Sequence, residues 1–192
     1  MLKEKLKNYH IILASKSPRR QQFFKDLNLD FTIQLKEVEE IYPKELKGVE
    51  ITEFLADLKS KAFTNLSDKE LLITSDTIVW LENEALGKPK DEADAFKMLQ
   101  SLSGKKHEVI SSISIKNNNF QKIISDVTSV YFKEISDDEI NYYIKNYKPF
   151  DKAGAYGIQE WIGFIAIDKI EGSYFNVVGL PVHKLYEEFM KL

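Results

Sequence analysis

The chain has 192 residues, of which 43% are hydrophobic and 30% are charged, and this predicts one folded domain over residues 1–192 with a buried core. Its net charge of −3 argues against bulk nucleic-acid binding, which needs a broad basic surface. The lack of cysteine excludes disulfides and thiolate zinc sites, and no apolar run approaches the roughly 18 residues of a membrane span. Residues 1–8 are too charged for a signal peptide, so we expect a cytoplasmic protein with no membrane partner.

The N-terminal stretch predicts a strand, a short polar turn and a helix. Residues 9–14 form an apolar, β-prone run, and apolar residues between positions 23 and 27 recur at helical spacing. Ser17 is the predicted N-cap of this helix, and Pro18 occupies its first position, where the missing N–H is not needed.

Two arginines follow in the first helical turn. The helix dipole disfavours cations at this end, so Arg19 and Arg20 should meet a compensating anion. A phosphate fits, because backbone N–H groups, both guanidinium groups and the Ser15 and Ser17 hydroxyls converge there. The alternative is an ordinary capped helix with two solvated arginines.

The rest of the chain alternates strand and helix patterns, with a hairpin pattern in its middle. The predicted elements are, in order, a strand at 31–35, an amphipathic helix at 52–66, a strand at 71–81, a helix at 92–102 capped by Asp91, strands at 109–115 and 122–132 around an Asn turn at 117–119, a helix from a capping box at 136–139 to about 145, a strand at 164–170 and a helix at 182–190. The segment 149–163 is too irregular to assign. This order predicts an α/β fold with a mixed sheet and flanking helices.

Asp76 is the main candidate for chemistry. It is a carboxylate between two hydroxyl residues inside an apolar strand, and such a group is costly to bury without a partner. We therefore expect it at a strand end, facing a cleft or meeting a cation, with a purely structural role as the alternative. Lys88, in a Gly-Lys-Pro loop, is placed to bring a point charge to a phosphate, although the loop is no Walker motif.

Glu37, Glu39 and Glu40 form an acidic group of the kind that most often lies in a solvated loop. A helical lysine such as Lys59 most often faces solvent. One of these carboxylates, together with Asp76, would nevertheless complete an oxygen site for Mg²⁺, which binds one or two carboxylates plus substrate phosphates. The three histidines lack the spacing of a metal site, and no Gly-x-Ser-x-Gly elbow of a serine hydrolase is present.

Seven motifs spread over nearly the whole chain resemble the Maf (septum-formation) family. They are Leu-Ala-Ser-Lys-Ser-Pro-Arg-Arg (13–20), Leu-Ala-x-x-Lys (55–59), Ser-Asp-Thr (75–77), Gly-Lys-Pro-Lys-Asp (87–91), Leu-Ser-Gly-Lys-x-His (102–107), Asp-Lys-Ala-Gly-Ala-Tyr-Gly-Ile-Gln (151–159) and Ile-Glu-Gly-Ser-Tyr-Phe-Asn-Val-Val-Gly-Leu-Pro (170–181). The resemblance implies a nucleoside triphosphate pyrophosphatase that cuts between the α and β phosphates with a divalent cation. It also implies a mixed, twisted sheet in two lobes around a cleft, similar to inosine triphosphatases.

The resemblance also assigns roles to single residues. It implies that Asp76 is the catalytic base and that Glu40 and Asp76 are ligands for Mg²⁺ or Mn²⁺. It also implies that the substrate phosphates are bound by Arg19, Arg20, Lys59 and Lys88. In the branch that this chain resembles, Arg19, Thr77 and Gln159 accompany a preference for dTTP and UTP. The chain departs from the family at Ser60, at Ser75 and at Glu160-Trp161, where a small or glycine-containing pair is more usual.

The resemblance thus implies a dTTP and UTP pyrophosphatase whose partner is a nucleoside triphosphate. Modified pyrimidine nucleotides are compatible substrates, and nucleotide-pool cleansing or arrest of cell division is a compatible role. A homodimer is compatible with the sequence and not specified by it. The alternative is a regulator of septum formation that binds nucleotide or RNA without turnover.

Overall fold

The computed structural model describes residues 1–192 and contains seven strands, eight α-helices and one 3₁₀-helix. The strands are His10–Leu13 (β1), Phe31–Ile33 (β2), Glu70–Leu81 (β3), Glu84–Leu86 (β4), Lys106–Lys116 (β5), Gln121–Phe132 (β6) and Ile167–Glu171 (β7). The α-helices are Leu2–Lys5 (α1), Pro18–Asp26 (α2), Val49–Lys61 (α3), Glu92–Leu102 (α4), Asp137–Tyr147 (α5), Trp161–Ala166 (α6), Tyr174–Val178 (α7) and Val182–Phe189 (α8), and the 3₁₀-helix is Ala153–Ala155. None of the helices combines the length and the apolar character needed to cross a bilayer.

All seven strands belong to one sheet in the order β2-β1-β3-β5-β6-β7, with β4 paired to β3. β1 runs parallel to β2 and β3, whereas β4 is antiparallel to β3 and β7 is antiparallel to β6. The sheet is therefore mixed, as predicted. Its strand β3 carries the consecutive, fully buried residues Leu71, Leu72 and Ile73, a pattern typical of a parallel strand covered on both faces.

The chain divides into two compact units, in agreement with the two lobes that were predicted. The first unit comprises residues 1–76, 111–126 and 179–192, and the second comprises residues 77–110 and 127–178. β3, β5 and β6 each begin in one unit and end in the other, so the chain crosses between the units within strands.

Each unit has its own hydrophobic core. In the first unit, Leu71 and Ile73 pack on one side of the sheet with Phe24 of α2 and Phe189 of α8, while Leu72 packs on the other side with Phe63. This alternation along β3 is the period of two expected of a strand, and it fixes the side to which each later β3 residue points. In the second unit, α4, α5 and α6 bury apolar residues against the sheet; among them are Leu99, Leu102, Ile140, Tyr143 and Ile162.

The local helix signals predicted the structure well. Ser17 caps α2 by accepting the Arg20 N–H at 3.4 Å, with Pro18 at the first position. Asp91 caps α4 in the same way, and Ser136 opens α5 with both bonds of a capping box. The turn at Asn117 between β5 and β6 is also present, because its side-chain oxygen accepts the N–H groups of two following residues.

Two elements were bounded wrongly, both where apolar spacing was the only signal. α3 spans 49–61 instead of 52–66, because Phe63 and Leu66 reach the core next to Ile12 from a loop. The strand predicted at 164–170 is a helix as far as Ala166 and a strand only from Ile167. Periodicity cannot separate helix from strand in such a short apolar run. α1, β4, α7 and the 3₁₀-helix were not predicted.

A neutral histidine is buried in the core of the second unit. His107 is 2% exposed, its Nε2 is hydrogen-bonded to the Tyr156 hydroxyl at 2.7 Å, and its Nδ1 has no partner. Its ring also packs edge-on against Phe132. Burial lowers the pKa of His107 from 6.5 to about 3, because the imidazolium form would place an unsatisfied charge in the core.

We predict that His107 makes this protein less stable in acid. The unfolded chain takes up a proton near pH 6.5 and the folded chain only near pH 3, so stability is fully present above pH 6.5 and falls as the pH drops between these values. His107→Gln, which can still bond to Tyr156, should remove a slope of up to about 1.4 kcal/mol per pH unit. Urea denaturation between pH 4 and 7 measures this, with the exposed His183→Gln as the control. Equal slopes in the wild type and His107→Gln would contradict the prediction.

Candidate functional site

One lysine ammonium group contacts two carboxylates in the first unit. The Nζ atom of Lys59 lies 2.6 Å from Oδ1 of Asp76 and 3.1 Å from Oε1 of Glu40. The side chains of Lys59 and Asp76 are 18% and 9% exposed, whereas that of Glu40 is 48% exposed. The interpretation of Lys59 as a solvent-facing lysine is therefore wrong, and the expectation that Asp76 meets a cation is confirmed. The ammonium compensates a carboxylate that would be costly to bury alone.

Helix α3 and strand β3 bring Lys59 to Asp76. Thr74 and Asp76 point to the same face of β3 because they are two residues apart, and Ala56 and Lys59 share a face of α3 because they are three apart. The buried Thr74 hydroxyl donates a hydrogen bond to the Ala56 carbonyl at 2.6 Å. This bond lies next to the ion pair, because Thr74 and Ala56 are the neighbours of Asp76 and Lys59 on the same faces of β3 and α3. This bond sets the position of α3 along β3.

Hydroxyl groups fix the first half of α3 on the sheet. Thr52 is hydrogen-bonded to Ser112 at 2.6 Å, Ser112 to Ser125 at 2.8 Å, and the Ser125 hydroxyl donates to Glu53 at 2.8 Å. Thr52 and Ser112 are fully buried. Hydrogen bonds depend on direction as well as distance, so they restrict the position of α3 on the sheet more than apolar packing alone would.

A glutamine on β6 fixes the second half of α3. The Nε2 atom of Gln121 lies 2.7 Å from Asp57 Oδ1 and 3.0 Å from the hydroxyls of Ser60 and Ser114. Residues 57 and 60 flank Lys59 in the sequence. Ser60, where the chain departs from the family pattern, therefore provides an additional contact between helix and sheet.

The start of α2 forms a tight polar loop. Ser15 accepts the backbone N–H of Ser17 at 3.2 Å, and Ser17 accepts that of Arg20 at 3.4 Å. Both hydroxyl oxygens thus bind within the loop, while their hydrogens remain able to donate to an anion. Arg19 is partly buried in the same turn.

Arg20 is not a solvated side chain. Its guanidinium donates to the carbonyls of Ser75 at 2.9 Å and Gly179 at 2.8 Å, so it holds the residue that precedes Asp76. Burial lowers the pKa of Arg20, with a smaller contribution from neighbouring Arg19, and the charges of Asp76 and Glu40 oppose the shift. These couplings place Arg20 in the same electrostatic cluster as the two carboxylates.

Three of the predicted substrate residues lie in the second unit. Thr77 is partly buried on β3, directly after Asp76, and Lys88 is exposed in the loop after β4. This loop is fixed to the glycine-rich segment, because the Gly154 N–H donates to the Gly87 carbonyl at 3.0 Å. Gly154 has a φ of +64°, and a Cβ there would lie only 2.7 Å from Val79, so only glycine fits this contact.

Gln159, the third of these residues, carries an unsatisfied acceptor. Its Oε1 atom is buried and has no hydrogen-bond partner in the structure. Buried polar side-chain atoms nearly always have a partner, so this oxygen is a candidate contact for a ligand that donates a hydrogen bond.

The carboxylate pair is the candidate for a metal site. No cluster of three or more histidine, aspartate and glutamate side chains that could hold a metal ion is present. Glu40 and Asp76 nevertheless contact the same cation, the Lys59 ammonium, at 3.1 and 2.6 Å. Two carboxylates are what Mg²⁺ takes from a protein when substrate phosphates supply further oxygens, so these residues fit the implied ion.

The sequence did not predict the polar contacts of Glu160. This side chain contacts the ammonium of Lys152 and the hydroxyl of Tyr143, beside Gln159 in the sequence. The departure from the family pattern at Glu160-Trp161 was the one signal that could have pointed to them. Similarly, the departure at Ser75 places a buried hydroxyl without a partner on the side of β3 opposite to Asp76.

Comparison with known proteins agrees with the motifs in the sequence. The family model described as Maf-like protein matches residues 10–192. A relative from Flavobacterium johnsoniae, named dTTP/UTP pyrophosphatase, is 65% identical over 188 residues, which are 97% of each chain. A relative of the same name from Christiangramia forsetii is 57% identical over 193 residues, covering 100% of this chain and 98% of its own.

A solved structure is similar in fold. The Ham1 protein of Staphylococcus aureus superposes with a TM-score of 0.53 at 20% identity, covering 93% of this chain and 99% of its own. At this identity the similarity concerns the fold alone. It confirms the mixed α/β fold that was expected from the sequence.

We predict that Lys59 and Asp76 stabilise the fold as a pair. Lys59→Met leaves a buried carboxylate without its closest cation, and we expect a loss of stability on the order of 3 kcal/mol. Adding Asp76→Asn should recover much of this loss, because the second change removes the unpaired charge. Guanidinium denaturation of the two single variants and the double variant measures the coupling. Additive losses would show that the two side chains do not interact.

Proposed function

The chain belongs to the Maf family, and on this premise we propose that it hydrolyses dTTP and UTP to the monophosphates and pyrophosphate. The observation that carries the proposal is the buried Asp76 carboxylate, held by Lys59 beside the carboxylate of Glu40. Relatives that are 57–65% identical over nearly their whole length bear the name of this activity. Nucleotide-pool cleansing is a role that such an activity would serve.

The reaction requires a proton acceptor and positive charge. The oxygen of water bonds to the phosphorus on one side of the oxygen that bridges the α and β phosphates, and the bond from that phosphorus to the bridging oxygen breaks. The monophosphate and pyrophosphate separate, and the proton that water loses must be taken up. We assign that proton to Asp76, the most buried carboxylate of the cluster. Phosphate hydrolysis depends on positioning and charge neutralisation more than on covalent steps.

The positive charge comes from four side chains in this proposal. Lys59 contacts Asp76 directly, and Arg20 is coupled electrostatically to Asp76 and Glu40. Arg19 adds its charge at the start of α2, and the exposed Lys88 is assigned to the phosphates as the fourth cation. Hydroxyls of Ser15 and Ser17 would donate to phosphate oxygens, since their own oxygens already accept backbone N–H groups.

Glu40 and Asp76 would hold the divalent cation, Mg²⁺ or Mn²⁺. When bound, this cation supplies neutralisation of the triphosphate charge. The half-exposed Glu40 lies on the long segment between β2 and α3, so it can adjust to an ion more easily than the buried Asp76.

Recognition of the pyrimidine base of the substrate is assigned to Gln159 and Thr77. Uracil and thymine present a donor, N3–H, between two carbonyl acceptors, whereas N3 of cytosine is itself an acceptor. The unpartnered Oε1 of Gln159 accepts a hydrogen bond from N3–H and would face an acceptor on cytosine. The Gln159 amide and the Thr77 hydroxyl supply donors for a carbonyl. The alternative is that Gln159 serves only to pin its own loop.

We predict that Asp76→Asn folds and loses most turnover. Asparagine keeps the shape but removes the charge that takes up the proton, and loss of general base catalysis alone is worth about 10²–10⁴ in rate. The measurement is kcat on dTTP at saturating Mg²⁺. Asp126→Asn is the matched control, because Asp126 is also a poorly exposed carboxylate paired with a lysine, Lys184, at 2.7 Å. Near-normal turnover of Asp76→Asn would exclude Asp76 as the base.

The second prediction concerns substrates and tests the function itself. Purified protein with Mg²⁺ should release pyrophosphate from dTTP and UTP with kcat/KM well above that for CTP, ATP and GTP. Bound cytosine would leave the buried Gln159 oxygen without a hydrogen-bond donor, and a site of this kind discriminates strongly between substrates. Gln159→Ala should therefore reduce the difference in kcat/KM between dTTP or UTP and CTP. Equal rates on all five nucleotides would contradict the base assignment, and binding without pyrophosphate release would favour the regulator.

A further inference from the structure

We infer that Glu160, held by Tyr143 and Lys152, is a positioning residue that fixes the carboxamide of Gln159 for pyrimidine recognition. This inference rests on the function proposed above and concerns the second unit alone. It assigns a role to a buried polar network that the chemistry of Asp76 does not use.

Both oxygens of Glu160 are engaged. Oε2 accepts a hydrogen bond from the hydroxyl of Tyr143, and Oε1 lies 3.0 Å from the ammonium of Lys152. Lys152 is 7% exposed and is also paired with Asp151 at 2.7 Å. A carboxylate held at both oxygens by buried partners has one available orientation.

The network extends to the backbone of the loop. The Gly157 N–H donates to the Tyr143 hydroxyl oxygen at 3.1 Å. Burial raises the pKa of Tyr143 far above its usual value, and the neighbouring Glu160 raises it further, so the phenol stays protonated and donates. Tyr143 therefore joins the Gly157 backbone to the Glu160 carboxylate from helix α5.

Gln159 packs against this network over the face of Gly157. A Cβ atom added to Gly157 would lie 3.0 Å from Gln159 Nε2, from the Glu160 carboxyl carbon and from Lys152 Cε. The ends of three side chains thus border the same face of Gly157, and a side chain at 157 would collide with them. Glu160 and Lys152 therefore lie beside the Gln159 carboxamide, where their fixed positions would limit how it turns.

The orientation of this carboxamide matters for specificity. Turning it by half a rotation exchanges its oxygen and its NH₂ group, which exchanges an acceptor for a donor. The orientation in the structure offers Oε1 for the N3–H of uracil or thymine, and the opposite one would suit N3 of cytosine. The network around Glu160 therefore acts on substrate choice through Gln159, without contacting the substrate.

The test uses two variants that change few atoms. Tyr143→Phe removes one hydroxyl, and Glu160→Gln keeps the shape of the side chain while removing its charge. For both, we expect the ratio of kcat/KM for dTTP over dCTP to fall by about tenfold, because a carboxamide free to turn no longer rejects cytosine. The loss should lie in KM for dTTP, with kcat changed less than about twofold, since Asp76 is untouched.

Tyr131→Phe is the matched control. Its hydroxyl also donates to a glutamate, Glu171, at 2.8 Å, but on the exposed surface of the same unit. Circular dichroism establishes which variants fold, and either folded variant is sufficient for the decision. An unchanged dTTP to dCTP ratio in a folded variant would overturn the inference, as would loss of folding in both variants, which would assign the network to stability alone.

The outcome also separates this inference from the proposed function. A wild-type protein that hydrolyses no nucleoside triphosphate would contradict the function. A wild type that hydrolyses dTTP, together with variants of unchanged selectivity, would contradict only the role of Glu160. Binding of dTMP, measured by titration calorimetry without metal, gives a reading independent of turnover, and it should weaken in Tyr143→Phe and not in Tyr131→Phe.

Discussion

The contact between Lys59 and Asp76 is the interaction on which the candidate site depends. It joins a helix to the point where β3 leaves the apolar core, and it explains how a carboxylate can be buried there. Three polar contacts lie around it: Thr74 bonds the helix to the strand, Arg20 holds the carbonyl before the aspartate, and Glu40 contacts the same ammonium. These contacts in the first unit together fix the positions of the Lys59 ammonium and the Asp76 carboxylate.

The second unit solves a different problem with a similar device. Apolar side chains in the core of this unit cannot bind its polar groups, so the polar groups bind one another. Tyr143 is paired with Glu160, Glu160 with Lys152, and His107 with Tyr156. Two buried atoms of this region have no partner, Nδ1 of His107 and Oε1 of Gln159. Because buried acceptors nearly always have a hydrogen-bond partner, the Gln159 oxygen is a candidate contact for a ligand that donates.

The parts of the fold that could be predicted are those set by local chemistry. Ser17, Asp91 and Ser136 begin helices because each binds backbone N–H groups within three residues, and no distant part of the chain is needed. The end of α3 and the start of β7 depend on which apolar residues the core accepts, and periodicity alone does not contain this information.

The candidate site was predictable in part. A strand-borne carboxylate that needs a cation follows from Asp76 and its apolar neighbours. Lys59 as that cation was not predicted, because the family resemblance assigns Lys59 to the substrate phosphates and its position on a helix does not indicate the pair. The anchoring of Arg20 to Gly179 joins residues at opposite ends of the chain, which no local pattern indicates. The same holds for Tyr143 and Glu160, where the one sequence signal was an unusual residue.

The hydroxyl bonds beneath α3 have a consequence for how this helix can move. An apolar interface tolerates small slides, because one methyl group replaces another at almost the same energy. Sliding α3 by one residue would break three bonds together: that between Thr52 and Ser112, that from Ser125 to Glu53, and that from Thr74 to the Ala56 carbonyl. These bonds therefore select one register of α3 on the sheet, and with it one position for the ammonium of Lys59.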